Sequence, residues 1–372
     1  MSEKNPEVRT RVVHVSAASR SYDVHVGAGV LGEVGAIARA AAGGSRCCVI
    51  TETNVGPLYA DEVEGSLAAA GYAVAARLTF PAGEEHKTLA TLGALLEGLA
   101  ERELTRDDVV VALGGGVTGD MGGLSAALYL RGVRVVQVPT SLLAMVDSSV
   151  GGKTAVDLAA GKNLVGAFWQ PAAVVADVRC LRTVPRDLLV DSVGEVVKHA
   201  VLADPALLGD LTGRPLVAGE PDEARLVDVV AKNVSIKRDV VDADERESGI
   251  RQTLNLGHTI GHAIEAASGF ALGHGSCVAA GLSVVARASA RAGWCPGDVA
   301  DAIVRCVAAQ GLPTGTDVPL DELMRYVAHD KKRHDDSVNL VVPERLGAAR
   351  VRRVPLVDLG ALVAHDLEGA GL

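Results

Sequence analysis

No stretch of this 372-residue chain approaches the roughly eighteen consecutive apolar residues that a membrane-crossing helix needs. The polar opening, Met1-Ser-Glu-Lys-Asn-Pro6, also lacks the apolar core of a secretory signal. Cysteine is sparse: there are six, with Cys47 and Cys48 adjacent and the rest scattered. That spacing spells neither a disulfide framework nor a thiolate zinc site, so a reducing compartment and a soluble cytoplasmic protein are expected. Positive charge is in deficit too, with 36 Lys and Arg against 46 Asp and Glu and a formal net charge of -10. Such a balance argues against a general nucleic-acid surface, while leaving room for a local basic pocket around a small anion. Beyond Ala/Gly enrichment there is no internal repeat or low-complexity tract. What is present is apolar mass: 48% hydrophobic residues can bury a large core, and the length suggests two domains.

Periodicity divides the chain near residue 180. Arg11 to Ser16 and Tyr22 to Val26 alternate as half-buried strands, and a helix is expected over Val30 to Ala42. Strand and helix then alternate: strands at Arg46 to Thr51, Ala73 to Phe80, Asp108 to Leu113 and Arg134 to Val138, with helices at Leu58 to Ala70, Leu89 to Glu103 and Gly119 to Leu130. That is the pattern of a parallel sheet covered on both faces. From Asp187 onward the spacing is helical almost throughout, including Glu223 to Val240, Gln252 to Ala267 and Ser276 to Ala292. A hairpin pairing Val338 to Val342 with Arg350 to Val354 and a closing helix from Leu356 complete the expected elements. The fold class expected is an α/β Rossmann-like domain over 1-180 followed by a mostly α-helical domain over 181-372.

Four groups of residues carry chemistry. Leu113-Gly-Gly-Gly-Val-Thr-Gly-Asp120 follows a strand and opens a helix, so bare amides and the helix dipole suit a pyrophosphate there. A tight strand-helix turn would need the same small residues. The ribose-binding acid normally found about twenty residues on is absent, since Gln137-Val-Pro-Thr140 has no carboxylate; Glu52 could serve if its strand neighbours the glycine-loop strand. The loop Pro81-Ala-Gly-Glu-Glu-His-Lys-Thr88 offers Glu84 and Lys87, although a solvated turn is the plainer reading.

The second group is Arg251 to Glu265, which sets His258 and His262 one helical turn apart, with His274 following in a Gly-rich loop. Two histidines at that spacing also occur on ordinary amphipathic faces. A carboxylate partner would make the set resemble a metal site with two nitrogens, one oxygen and an open position. Glu195 and Lys198 supply the third group, sharing a helix face inside an apolar segment. A carboxylate there needs either a metal or an ion pair with Lys198. The fourth is a set of cations, Lys153, Lys162, Lys198, Lys237, Arg251 and Asp330-Lys-Lys-Arg333, which would make sense around a substrate with two anionic groups, one of them phosphate.

These segments together resemble the 3-dehydroquinate synthase family of the sugar phosphate cyclase superfamily. The resemblance runs in collinear order through Pro81-Ala-Gly-Glu-Glu-His-Lys87, Gly114-Gly-Gly-Val-Thr-Gly-Asp120, Tyr129-Leu-Arg-Gly132, Val138-Pro-Thr-Ser-Leu142, Asp147-Ser-Ser-Val-Gly-Gly-Lys153, Gly161-Lys-Asn163, Glu195-Val-Val-Lys198, Asn255-Leu-Gly-His258 and Asp330-Lys-Lys332. It implies metal ligands at Glu195, His258 and His274, with His262 beside them in proton transfer or hydrogen bonding. It implies NAD contacts at Glu52, Asn54, Glu84, Lys87, Gly114, Gly115, Gly116, Val117, Asp120, Thr140 and Ser141, with Lys153 and Lys162 nearby and Thr183 toward the adenine. Substrate contacts implied are Arg131, Asp147, Lys153, Lys162, Asn163, Lys198, Lys237, Arg251, Asn255 and one of Lys331 and Lys332. The expected cofactors are NAD and a divalent zinc or cobalt ion, the partner a phosphorylated sugar acid, and the assembly a homodimer.

The family reaction turns 3-deoxy-D-arabino-heptulosonate 7-phosphate into 3-dehydroquinate and phosphate, with NAD returned unchanged. Other readings stay open: another cyclase of the superfamily such as aminodehydroquinate synthase, a metal-dependent NAD alcohol dehydrogenase of similar architecture, and a non-catalytic scaffold with a vestigial site. This chain departs from the family pattern at Ser276, where glutamate usually follows the third ligand, at Asp157, where asparagine is common, and at Gly194, where alanine is common. The first of these departures bears on what supports His274.

Overall fold

The computed structural model describes residues 10–219, 222–269, 271–328, 333–334 and 336–367. Lys331 and Lys332 lie outside the described residues. The chain forms two compact units, 1–184 with 222–246, and 185–221 with 247–372.

The first unit is built on a seven-stranded sheet. In chain order its elements are β1 (Arg11–Ala17), β2 (Arg20–Gly27), α1 (Val34–Ala42), β3 (Arg46–Glu52), α2 (Gly56–Ala69), β4 (Ala73–Phe80), α3 (Leu89–Glu101), β5 (Val109–Gly114), α4 (Gly116–Leu128), β6 (Arg134–Pro139), β7 (Lys153–Leu158), β8 (Gly161–Phe168) and β9 (Ala173–Asp177). The sheet order is β1-β2-β9-β6-β5-β3-β4. Only β1 runs antiparallel to its neighbour. Strands β5 and β9 are buried along their whole length, as valine-rich strands covered on both faces must be. Ile50, Leu95, Leu99, Val110, Met121 and Leu124 pack one core of this unit.

The second unit starts with α5 (Arg186–Ala203) and α6 (Pro205–Gly213). The chain then makes α7 (Glu223–Ala243), followed by α8 (His258–Ala267), α9 (His274–Arg291), α10 (Gly297–Ala309), α11 (Leu320–Ala328), the strands β10 (Arg333–His334), β11 (Ser337–Arg345) and β12 (Ala348–Pro355), and α12 (Leu356–Leu367). Helix α5 is buried without interruption from Ser192 to Val201, the signature of a helix surrounded on all sides. Ile260, Ile264, Val284, Leu323, Leu340 and Leu359 pack the core around α8 and α9. No helix among the described residues is long and apolar enough to cross a membrane.

Strands β7, β8 and β9 are additional to the sequence reading, and two helices differ from it. Sequence order groups Glu223–Val240 with the helical half, yet α7 belongs to the first unit, where Arg11 bonds Asp228 at 3.1 Å and the Ser16 amide donates to Asp242 at 2.8 Å. Its buried Val227, Val230, Val234 and Val241 give α7 its apolar face, and order along the chain does not reveal which layer such a face will cover. The expected helix over Gln252–Ala267 is two pieces, a 3-10 segment at Ile250–Asn255 and then α8, because Gly257 takes a left-handed φ of 81° that breaks the helix immediately before His258.

Candidate active site

In the second unit, α5, α8 and α9 converge on one buried carboxylate. Glu195 is fully buried, and its Oε1 lies 3.4 Å from Nε2 of His258 and 3.4 Å from Nε2 of His274. The three rings of His258, His262 and His274 stand 5.1 to 5.7 Å apart by centroid, with a nitrogen from each within 4.8 Å of the others. Two imidazole nitrogens therefore face one carboxylate oxygen, with the third ring beside them. The helices can come this close because their contacts are glycines: a Cβ on Gly281 would sit 2.3 Å from the Gly257 carbonyl oxygen, and one on Gly194 would sit 2.0 Å from that of Gly275. Gly194, a departure from the family pattern, thus stands where α5 touches α9 backbone to backbone.

The charges at this centre follow from its burial. Lys198, only 1% exposed and one turn from Glu195, forms an ion pair with it. Burial opposes ionisation of Glu195, but Lys198 first and then His258 and His274 outweigh it, holding the carboxyl well below its usual range. Burial likewise disfavours a charged His274, yet the nearby carboxylates of Glu195 and Glu265 raise it to about 10. The centre attracts positive charge strongly enough to hold a proton. Neither carboxylate oxygen of Glu195 receives a well-directed hydrogen bond, and nitrogen with carboxylate oxygen is the donor set that zinc or cobalt takes. These residues fit a divalent cation.

Around the centre, Asp191 on α5 caps the start of α9, accepting from the amides of Gly275 at 3.1 Å and Ser276 at 2.7 Å. Asn255 donates to Glu247 at 2.8 Å, and Arg251 is 1% exposed. Asp191 and Glu265 were not assigned roles from sequence. Glu265 could have been, since it lies on the same helical face as His258 and His262.

In the first unit the parallel strands end together at the glycine loop. β3 pairs directly with β5, which meets the condition under which Glu52 could reach a ribose. Both Glu52 oxygens already accept main-chain hydrogens, from Asn54 at 2.6 Å and Val55 at 2.9 Å, so the acid also shapes the turn. Cβ atoms on Gly115 and Gly116 would lie 3.5 Å and 3.2 Å from the hydroxyls of Ser141 and Ser148, leaving a cradle of bare amides at the N-terminus of α4. Gly119 acts differently. It is inside α4, and its missing side chain makes room for Gln137, whose Nε2 donates to the Gly119 carbonyl at 3.0 Å. The cradle fits a pyrophosphate.

Lys87 is buried rather than the solvated turn residue that the sequence suggests, at 4% exposure. Its Nζ meets Asp120 and donates to the Asn163 Oδ1, each at 2.6 Å, with Glu84 at 3.8 Å. Burial works against charge on Lys87, but Asp120 and Glu84 prevail and hold it above its ordinary range. Burial pushes Asp120 up to about 6 despite Lys87. Lys162 lies 3.9 Å from Glu84, so Lys162 and Asn163 join this cofactor-side group. Thr140 donates its amide to Gly114 at 2.9 Å, while Thr183 bonds the Tyr59 hydroxyl at 2.6 Å.

Asp147 lies in a π-helical turn, Ala144–Ser148, a distortion common at functional sites. There it pairs with the nearly buried Lys237 at 2.7 Å. Lys153, just beyond that turn, is exposed. Arg131 is not brought to the rest of this group. It precedes β6, whose start pairs with Val109 and whose end pairs with Gly114, so a strand length of about 17 Å separates it from the glycine loop.

Models of the N-terminal and C-terminal domains of 3-dehydroquinate synthase match residues 77–191 and 192–333. A 3-dehydroquinate synthase of Citrifermentans bemidjiense is 41% identical over 353 residues, covering 94% of this chain and 97% of that protein. The enzyme of that name from Symbiobacterium thermophilum is 44% identical over 332 residues, 88% of this chain and 92% of the relative. Among solved structures, 2-deoxy-scyllo-inosose synthase in complex with carbaglucose-6-phosphate, NAD+ and Co2+ superposes with a TM-score of 0.85 at 25% identity, covering 95% of this chain and all (100%) of that one. The fold is shared by 2-epi-5-epi-valiolone synthase of Streptomyces hygroscopicus subsp. jinggangensis, at a TM-score of 0.84, 24% identity and coverage of 94% and 98%. An iron-containing alcohol dehydrogenase of Corynebacterium glutamicum shares it more distantly, at 0.67, 16% identity and coverage of 97% and 99%. By the extent and the level of these matches, the chain belongs to the 3-dehydroquinate synthase family.

Proposed function

We propose that this chain converts 3-deoxy-D-arabino-heptulosonate 7-phosphate to 3-dehydroquinate and phosphate, as a redox-neutral cyclase dependent on NAD and a divalent metal. What carries the reading is identity of about 40% to curated 3-dehydroquinate synthases along nearly the whole of both chains. Bound NAD would accept and return a hydride, while zinc or cobalt would acidify the hydroxyl being oxidised.

The chain's own residues would do the rest by holding and orienting. Glu195, His258 and His274 would hold the ion, with His262 positioned beside them for a proton. Lys198 neutralises the buried carboxylate and keeps it ionised at working pH. The Gly114, Gly115, Gly116 and Val117 amides, with Thr140 and Ser141, would hold the cofactor phosphates. Glu52, Asn54, Glu84, Lys87, Asp120 and Thr183 would fix its sugars and base. A substrate with phosphate and carboxylate needs cations, and the chain carries Lys153, Lys162, Lys237 and Arg251, with Asp147, Asn163 and Asn255 as polar partners and Lys331 or Lys332 as a further cation. Positioning and charge would then supply most of the rate. Arg131, remote from the glycine loop in its own chain, has no assigned role here. A homodimer is the expected assembly, checked by mass in solution.

The test is phosphate release from the heptulosonate phosphate by protein loaded with zinc or cobalt and catalytic NAD, with absorbance followed for NADH. Dehydroquinate and phosphate in equal amounts without net NADH are expected. Net NADH would mark a dehydrogenase instead, and absence of phosphate release would overturn the assignment.

Metal uptake should also release a proton. Below about 10 His274 is protonated in the metal-free protein, and the ion has to displace that proton. The apparent Kd for zinc should therefore rise about tenfold for each unit by which pH is lowered through the neutral range. Titration calorimetry in buffers of different ionisation heat measures this directly.

A further inference from the structure

His258 and His274 both turn Nε2 toward Glu195, and each ring needs a partner at Nδ1 to hold that orientation. For His258 the main chain provides it, with the Leu256 carbonyl oxygen 3.2 Å from Nδ1. A carbonyl only accepts, so Nδ1 carries the hydrogen and Nε2 keeps its lone pair. For His274 the partner is a side chain, Glu265 on α8, whose Oε2 lies 3.1 Å from Nδ1. Glu265 is 7% exposed, deep for a carboxylate. Ser276 occupies the place where the family pattern has glutamate, and its amide is bound to Asp191. Carboxylate support for His274 thus comes across from α8 rather than from the first turn of its own helix.

We propose that Glu265 is a positioning residue of the metal centre: it accepts the Nδ1 hydrogen of His274, fixes the tautomer and the ring's orientation, and strengthens Nε2 as a donor to a divalent cation. This rests on the reading of Glu195, His258 and His274 as metal donors. His274 meets a replaceable side chain at Nδ1, so Glu265 is where its orientation can be removed by substitution.

The experiment measures zinc binding to the full-length protein by competition with a chromophoric chelator, for wild type, Glu265→Gln and Glu265→Asp, together with the visible spectrum of each cobalt-loaded protein. Glu265→Gln should weaken zinc binding roughly 10–100-fold and alter the cobalt bands, beyond any lowering of the metal-free protein's melting midpoint. Glu265→Asp, which keeps the charge, should fall between the two, and it serves as the test should the glutamine variant fail to fold. Unchanged zinc affinity and cobalt bands overturn the proposal, whether or not the metal-free protein melts lower. Wild-type protein that takes up neither zinc nor cobalt overturns the metal reading beneath it.

Discussion

Glutamine in place of Glu195 is expected to lower turnover by roughly a thousandfold or more, equivalent to about 4 kcal/mol of transition-state stabilisation. The carboxylate is the anionic member of the donor set, and a neutral amide cannot offset the charge of a divalent ion. The same substitution should weaken the metal-free protein, because Lys198 stays buried without its counter-charge. Breaking a buried pair by removing one partner costs about 3–5 kcal/mol. The two effects separate in the double variant Glu195→Gln/Lys198→Met, which should regain most of the stability and none of the activity. Bound metal per chain, the melting midpoint of the metal-free protein and turnover distinguish them. Near-normal metal content in Glu195→Gln would contradict the assigned role.

Methionine at Lys87 is expected to have the next largest effect, on NAD affinity. The Lys87 ammonium binds Asp120 and Asn163 together, so it ties the 84–88 loop to α4 and to the start of β8. Losing hydrogen bonds to a charged group should weaken NAD binding roughly 10–100-fold. Asp120, half-buried, would be left without its cation, at a stability cost of about 1–3 kcal/mol. Its pKa, already about 6, would rise further and leave it neutral over more of the working range. Fluorescence titration with NAD and thermal melting measure the two losses; unchanged NAD affinity would show that the buried lysine serves the fold alone.

The site was most legible where chemistry conflicts with its surroundings. Glu195 and Lys198 stand out because charges inside an apolar helix demand partners, and the burial of α5 bears this out. Strands β3, β5 and β6 were legible for the opposite reason, since continuous valine and isoleucine leave few alternatives to buried parallel strands, whereas β9, equally buried but only five residues long, was not read from sequence. The hairpin of β7 and β8 escaped notice because β8 buries little: Leu164, Val165 and Phe168 are exposed, and no inward-outward alternation marks the strand. Lys87 was misjudged because a polar loop gives no sign of its neighbours, and those neighbours are Asp120 and Asn163, far along the chain. Arg131 shows the converse limit. A residue matched by motif can sit at the far end of its strand, which the motif does not disclose.

The placement of α7 also governs when the first unit can be completed. A ribosome delivers residues 1–184 well before Lys237, so at that stage Asp147 lacks Lys237 and β1 lacks α7. Domains emerging from the ribosome generally fold as units from the N-terminus. Here closure has to wait for residue 246, by which time 185–221, part of the second unit, has already been made. Cutting the gene after residue 184 would therefore divide the first unit rather than release it, and neither product would be an independently folding half.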